Sequence, residues 1–122
     1  MRNLDELFEA LSKSAFRNKF HLQGKDLVYL HTKGLSTVID HAGDFVAKRL
    51  APAVPNNDGK QTPFRGHPVF VAQHATACCC RSCLEKWHRI PKGRVLTPDE
   101  GAYVLKVLER WLHNEMASPV NK

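Results

Sequence analysis

The sequence predicts an all-α fold, a single compact domain of about five helices. Three observations support this prediction: apolar residues recur at helical spacing, Gly and Pro fall where helices end, and no pair of alternating strands is evident. The chain has 122 residues, which is the length of one domain. We expect that domain to span residues 1–117, with residues 118–122 as a frayed tail.

The first half of the chain has the pattern of three helices. Apolar residues follow the i, i+3, i+4, i+7 spacing over residues 4–11, and Asn3 precedes them as a capping residue. A second helix is predicted from about residue 25 to residue 33, ending at Gly34. The pattern resumes over residues 35–51, where following prolines stop it.

Residues 51–66 are the one long irregular stretch, with three prolines and two glycines. Loops of this length inside a domain are often functional. The loop contains Gly59-Lys60-x-Thr62, but Val54 stands where a phosphate-binding P-loop needs its first glycine. A nucleotide loop is therefore excluded. Two interpretations of the loop remain open: a turn at Asp58 and Gly59, or the polar rim of a pocket.

The second half predicts further helices. Residues 67–72 would suit a helix or a short strand, and we favour a helix because residues 72–77 are alanine-rich and no partner strand is evident. Another helix is predicted over residues 81–87. The last begins at Thr97-Pro98-Asp99-Glu100, a capping box with proline at the first helical position.

The composition is that of a packed, basic protein. Hydrophobic residues make up 43% of the chain and charged residues 25%, which excludes a disordered chain. Eighteen Lys and Arg against twelve Asp and Glu leave a net charge of +6. No run approaches the ~18 apolar residues of a membrane span, and the N-terminus lacks a signal peptide's apolar segment. We therefore expect a cytoplasmic protein, in a compartment where thiols stay reduced.

All four cysteines lie within residues 78–83, too close together to form a disulfide scaffold. Cys80-x2-Cys83 has the spacing of a metal knuckle, and zinc needs four ligands. We predict a zinc site made by four residues: Cys79, Cys80, Cys83 and His88. Cys83 and His88 would be roughly 140° apart around one helix, so both can bind one ion only if the helix breaks between them or starts after Cys83. Thiols packed as small hydrophobes, and thiol redox chemistry, remain alternatives.

A basic segment, residues 81–94, begins among the cysteines and predicts nucleic-acid binding, with processing of the nucleic acid as an open extension. Its turn, Ile90-Pro91-Lys92-Gly93-Arg94, joins two predicted helices, and backbone amides at a helix start can hold phosphate. A solvated helix edge is the competing interpretation. The predicted contacts to DNA or RNA are Arg81, Arg89, Lys92 and Arg94.

Two rival functions remain open at this point. The first is a metal-dependent hydrolase with an open metal position, which requires its polar residues to converge in one cleft. Its candidate catalytic residues are Asp58, Lys60, Gln61, His67, Gln73 and His74. The second is a non-enzymatic protein that modulates a host protein. It predicts an exposed apolar patch and no metal.

Residues 41–97 closely resemble a small bacterial and phage family known as domain of unknown function 4186. The shared strings include Asp58-Gly59-Lys60-Gln61-Thr62-Pro63, Ala72-Gln73-His74-Ala75-Thr76 and Cys79-Cys80-Arg81-x-Cys83. The resemblance extends over residues 16–111 and implies no activity or fold. Members have threonine at the position of Cys78, which implies that this cysteine is the least essential of the four. It also implies that the loop and the Cys/His segment together form the family's signature.

Overall fold

The computed structural model describes residues 1–117, which fold into seven α-helices without any strand. The all-α prediction is therefore confirmed, while the helix count exceeds the five expected. One helix we missed, α2, is a single turn of four residues capped by Ser14 and is too short to show a periodicity. The predicted tail, residues 118–122, lies outside the described residues. The helices are α1 (Leu4–Ser12), α2 (Ala15–Asn18), α3 (Gly24–Lys33), α4 (Leu35–Arg49), α5 (Pro68–Ala75), α6 (Arg81–His88) and α7 (Pro98–Ala117).

Helix α5 lies at the centre of the molecule, and all eight of its residues are buried. The long helix α7 packs against α4, α5 and α3. Helices α3 and α4 also pack against each other and against α5, while α2 packs against α1 and α5. None of the helices within residues 1–117 combines the length and hydropathy that spanning a bilayer requires.

Local signals set the helix ends where the sequence predicts them. Gly34 has φ +87°, a conformation that suits glycine, and it separates α3 from α4. At the start of α7, the Glu100 amide donates to Thr97 Oγ1 (3.1 Å) and the Thr97 amide donates to Glu100 Oε1 (3.0 Å). These reciprocal bonds form the predicted capping box.

The ambiguous segment after residue 67 is helical, as favoured above. Pro68 occupies the first position of α5, and the side chain of His67 caps the helix by accepting the Val69 amide (3.1 Å). Helix α6 then begins at Arg81 and runs without a break to His88. Arg89 ends it in the left-handed conformation, with φ +60°. These two helices frame the cysteine segment.

Candidate metal centre

Three of the four cysteines converge at the start of α6. Cys79 and Cys80 lie in the turn before the helix and Cys83 lies in its first turn, so the chain folds the three side chains back on one another. Their Sγ atoms all lie within 4.8 Å of one another. Among residues 1–117, this is the one group of three or more His, Cys, Asp or Glu side chains close enough to share an ion. The predicted thiol part of the zinc site is therefore assembled.

The three thiols are mostly removed from solvent and contact each other. Cys79 is 9% exposed and Cys80 8%, while Cys83 is half-buried. The Cys79 thiol donates to Cys83 Sγ at 3.7 Å. Hydrogen bonds from Cys79 and Cys80, followed by the Arg17 guanidinium, lower the pKa of the Cys83 thiol. Hydrogen bonds to Cys80 and Cys83, together with burial, raise the pKa of Cys79.

A buried arginine from α2 completes the surroundings of the thiols. Arg17 Nη2 donates to Cys83 Sγ (3.3 Å), and Nη1 lies 3.8 Å from Cys79 Sγ. Nη1 also donates to the backbone carbonyl of His74 at the end of α5 (2.7 Å). The Arg17 side chain is only 8% exposed, so its charge acts on the sulfur atoms with little screening by water.

The long loop 51–66 holds the cysteine turn from the other side. Thr62 Oγ1 donates to the Cys79 carbonyl (2.8 Å). Asp58 Oδ1 accepts the first amide of α6, that of Arg81 (3.2 Å), and also the Gln61 side-chain amide (2.9 Å). A carboxylate at a helix N-terminus satisfies an otherwise unpaired amide and suits the helix dipole. Asp58 and Gln61 thus organise the loop and the start of α6.

The structure does not bring His88 to the three cysteines. Its ring is fully buried, with Nε2 2.8 Å from the Thr76 carbonyl and Nδ1 2.7 Å from the Tyr103 hydroxyl. Cys78 Sγ lies 3.5 Å from the same Nε2. Since α6 is unbroken through His88, the condition under which Cys83 and His88 could bind one ion is not met. Burial lowers the pKa of His88 to about 4 and raises that of Cys78 to about 12.

Among the six candidate catalytic residues of the hydrolase alternative, Asp58 and Gln61 bond to each other, whereas Gln73 and His74 have separate partners. Gln73 donates to the Cys78 carbonyl (3.0 Å), and His74 Nε2 lies 3.0 Å from the Thr62 carbonyl. Desolvation is the largest cause that lowers the pKa of His74. Lys60 is exposed at the surface of the loop. Like the bonds of Asp58 and Gln61 described above, the bonds of Gln73 and His74 hold buried backbone in place.

His67 faces a different part of the molecule. Its Nε2 lies 3.1 Å from His41 Nδ1, and both rings line a pocket of about 370 Å³ with Tyr29 and Asp44. Because His67 Nδ1 accepts the Val69 amide, Nε2 carries the ring proton and donates it to His41. Burial, followed by the neighbouring His41, lowers the pKa of His67 to about 4.

Three of the four predicted nucleic-acid contacts form side-chain hydrogen bonds within the fold. Arg81 is fully buried and donates to the carbonyls of Leu50, Ala51, Pro52 and Pro91 at 2.8–3.3 Å, so it is withdrawn from any phosphate. Arg94 forms two hydrogen bonds to the Glu100 carboxylate, at 2.6 and 2.8 Å. Arg89 and Lys92 are exposed, and Lys92 Nζ donates to Ser82 Oγ (2.9 Å). The basic edge that the sequence predicts therefore loses Arg81, while Arg89, Lys92 and the paired Arg94 stay at the surface.

Three residues at or near the centre were missed in the sequence. Arg17 and the ring of Phe20 belong to the basic, aromatic run at residues 16–21, which was a visible signal without an assigned role. Phe64 carries no motif, although it stacks on His74 with ring centroids 4.1 Å apart. Contacts between such distant segments leave no trace in local spacing.

A family model described as Domain of unknown function (DUF4186) matches residues 5–113. The chain belongs to this family. No solved structure matches it. The DUF4186 match contains the three cysteines of the centre together with Arg17 and the loop 51–66, so the whole arrangement lies inside the family domain.

Proposed function

We propose that this chain is a small zinc-binding domain that binds nucleic acid, with the ion held by Cys79, Cys80 and Cys83. The observation that carries the metal part is the convergence of three thiol sulfur atoms within 4.8 Å. Soft thiolate ligands of this kind favour zinc over hard cations such as magnesium or calcium.

The sulfur spacing supports zinc. A tetrahedral ion with Zn–S bonds of about 2.3 Å separates two sulfur ligands by roughly 3.8 Å. Cys79 Sγ and Cys83 Sγ are 3.7 Å apart. The two side chains are thus spaced as ligands of one ion, and the distance between this pair would change little on binding.

The charge balance also supports zinc. Three thiolates and one divalent ion carry a net charge of −1, and a buried anionic complex is costly unless a cation compensates it. The Arg17 guanidinium lies 3.3 Å from Cys83 Sγ and supplies that positive charge. Packed neutral thiols would not need a buried arginine beside them.

The ion would link the turn before α6 to the first turn of that helix. Cys79 and Cys80 come from the turn and Cys83 from the helix, while Arg17 connects the same sulfur atoms to α2. A structural role of the ion therefore agrees with the position of the ligands. Its fourth ligand would come from water or from a bound molecule.

Metal-dependent hydrolysis is the second candidate function. Three protein ligands with a fourth position open to water are typical of catalytic zinc sites. The partly exposed Cys83 gives this centre contact with solvent. Nuclease activity of the zinc-loaded protein that disappears in Cys83→Ser would support this candidate.

The nucleic-acid part rests on charge. The chain carries a net charge of +6, and exposed cations such as Arg89 and Lys92 can contact phosphates. Binding of this kind predicts an affinity that falls steeply as salt rises. Titration of labelled DNA and RNA at several salt concentrations tests it, and no binding of either at low salt would exclude it.

Elemental analysis of protein purified without added metal tests the zinc centre. We expect one zinc ion per wild-type chain, and no stoichiometric zinc in Cys83→Ser or Cys80→Ser. Cys78→Ser is the matched control, because Cys78 contacts His88 rather than the cluster. Metal-free wild type with four free thiols would indicate simple packing. Metal-free wild type with two thiols missing would indicate a redox disulfide, and either result overturns the zinc centre.

A further inference from the structure

A second feature of the molecule lies beside the cysteine turn. A groove of about 830 Å³ runs between the segment that joins α2 to α3 and the end of the loop 51–66. Phe20 and Phe64 line it together with three cations, and we call it the aromatic groove. Its volume falls within the range of about 300–1,000 Å³ that is typical of ligand sites.

The two aromatic rings are arranged as stacking surfaces. The rings of Phe20 and Phe64 are nearly parallel, with an interplanar angle of 12° and centroids 6.4 Å apart. One face of Phe64 rests on the His74 ring, 4.1 Å away, and His74 is in turn anchored to the Thr62 carbonyl. Phe64 is nevertheless 62% exposed. A large apolar ring is thus held in place while much of its surface remains in solvent.

Cations alternate with these rings. The groove is lined by Lys19, Lys25 and Arg65, against a single acidic side chain, Asp26. Lys19 Nζ lies 5.4 Å from the centroid of the Phe20 ring, so that positive charge and stacking surface are adjacent. His21, at the same rim, is paired with Glu115 at 3.0 Å. The lining therefore carries a net positive charge.

We infer that the aromatic groove binds single-stranded nucleic acid, with bases stacked on Phe64 and Phe20 and phosphates held by Lys19, Lys25 and Arg65. This inference rests on the proposed nucleic-acid binding and specifies its surface and substrate class. Phe64 is exposed and Phe20 is partly exposed, and such rings interleaved with cations are typical of single-strand sites, because unpaired bases offer their faces. In a duplex those faces are covered by neighbouring bases, and the phosphates alone would remain to be bound. An acidic peptide would use the cations, but its carboxylates do not offer the wide aromatic faces that bases present to the rings.

Fluorescence anisotropy with labelled 8-mers of DNA and RNA, and with a duplex of the same length, tests the inference. We expect the single strands to bind more tightly than the duplex. Phe64→Leu keeps an apolar contact with His74 but removes the stacking face, and we expect it to weaken binding about tenfold. Phe64→Tyr restores the ring and should restore binding. Val54→Ala is the matched control, since Val54 is 83% exposed in the same loop outside the groove.

Charge reversals separate the groove from the basic edge after α6. Lys19→Glu and Arg65→Glu should each weaken binding and reduce the salt dependence by at least about one phosphate contact. The double variant Arg89→Glu/Lys92→Glu should weaken binding less than either groove variant, although it changes the net charge twice as much. Circular dichroism and zinc content of each variant verify that the fold and the centre are intact.

The outcomes distinguish the inference from the proposed function. If Phe64→Leu binds like wild type, or if the duplex binds more tightly than either single strand, the groove is not the site while nucleic-acid binding stands. If only Arg89→Glu/Lys92→Glu weakens binding, the basic edge is the site. If no nucleic acid binds at low salt, both the inference and the nucleic-acid part of the function fail, whatever the zinc content.

Discussion

Arg17 and Cys83 are 66 positions apart in the sequence, yet the guanidinium Nη2 lies 3.3 Å from Cys83 Sγ. The same guanidinium donates to the His74 carbonyl, so one side chain connects α2, the end of α5 and the cysteine turn. A buried cation in contact with thiols stabilises their deprotonated form, which is the form that binds metal. Arg17 therefore links the fold to the chemistry of the centre.

Replacement of Arg17 tests this link. We expect Arg17→Met to lower zinc affinity by a factor of ten or more, because a complex with a net charge of −1 would lose its buried counter-charge. Arg17→Lys keeps the positive charge but lacks the forked guanidinium that reaches two sulfur atoms. Its zinc affinity should therefore lie between those of wild type and Arg17→Met. Competition with a chromophoric chelator measures the affinities. A zinc affinity of Arg17→Met equal to that of wild type would show that the guanidinium serves packing alone.

Arg81 is expected to be critical for stability. It is 0% exposed and donates to four backbone carbonyls, which would lose their partner in Arg81→Met. We expect a loss of roughly 3 kcal/mol or more in the free energy of unfolding. Urea denaturation measures it, with Arg89→Met as an exposed control expected to change stability by less than about 0.5 kcal/mol. Equal stabilities of the two variants would contradict this role.

The buried His88 predicts acid sensitivity. Its pKa is lowered to about 4 in the folded protein by burial, against 6.5 for an unperturbed histidine. Between these values the unfolded chain binds a proton that the folded chain does not, so stability falls as the pH drops through this window. The loss approaches about 3 kcal/mol at the acid end, at about 1.4 kcal/mol per pKa unit.

Urea denaturation between pH 7 and pH 4 measures this effect. His88→Gln should show a shallower fall in the free energy of unfolding with decreasing pH, since the titrating group is gone. The remaining slope is expected to come from His67, whose pKa is also lowered to about 4, and from His74, whose pKa burial also lowers. Parallel curves for wild type and His88→Gln would disprove the assignment to His88.

The capping box at the start of α7 contributes measurably to the free energy of unfolding. Thr97 Oγ1 accepts the Glu100 amide at 3.1 Å, and Thr97→Ala removes that acceptor. We expect a loss of about 1 kcal/mol in the free energy of unfolding, typical of an N-cap threonine. Thermal unfolding followed by circular dichroism measures it, and Thr97→Ser, which keeps the hydroxyl, should lose much less. Equal losses in both variants would exclude the hydroxyl as the cause.

The helix ends could be predicted because their determinants are local. Gly34 and the pair Thr97 and Glu100 act within three or four residues, and the sequence displays that spacing directly. The thiol part of the centre was predicted for the same reason, since Cys80 and Cys83 are three positions apart. Features that depend on neighbouring residues can therefore be predicted from the sequence alone.

The other parts of the site depend on contacts between distant segments. Arg81 looks like a surface cation in the sequence, and only the fold reveals that carbonyls from the loops after α4 and α6 surround it. His88 follows the cysteines closely but points elsewhere because α6 continues through it. Phe64 acquires its role by stacking on His74, which no spacing rule relates to it. In all three residues, tertiary packing sets the contacts that the side chain makes.

Helix α5 has no solvent-facing residue, so substitutions are constrained at every one of its positions. An ordinary amphipathic helix offers positions where a polarity change is nearly neutral, and α5 offers none. Even its polar residues, Gln73 and His74, each form a hydrogen bond to a buried backbone carbonyl. In a saturation mutagenesis screen, residues 68–75 should therefore form an unbroken block of intolerance, whereas α7 should show a pattern repeating every three to four residues.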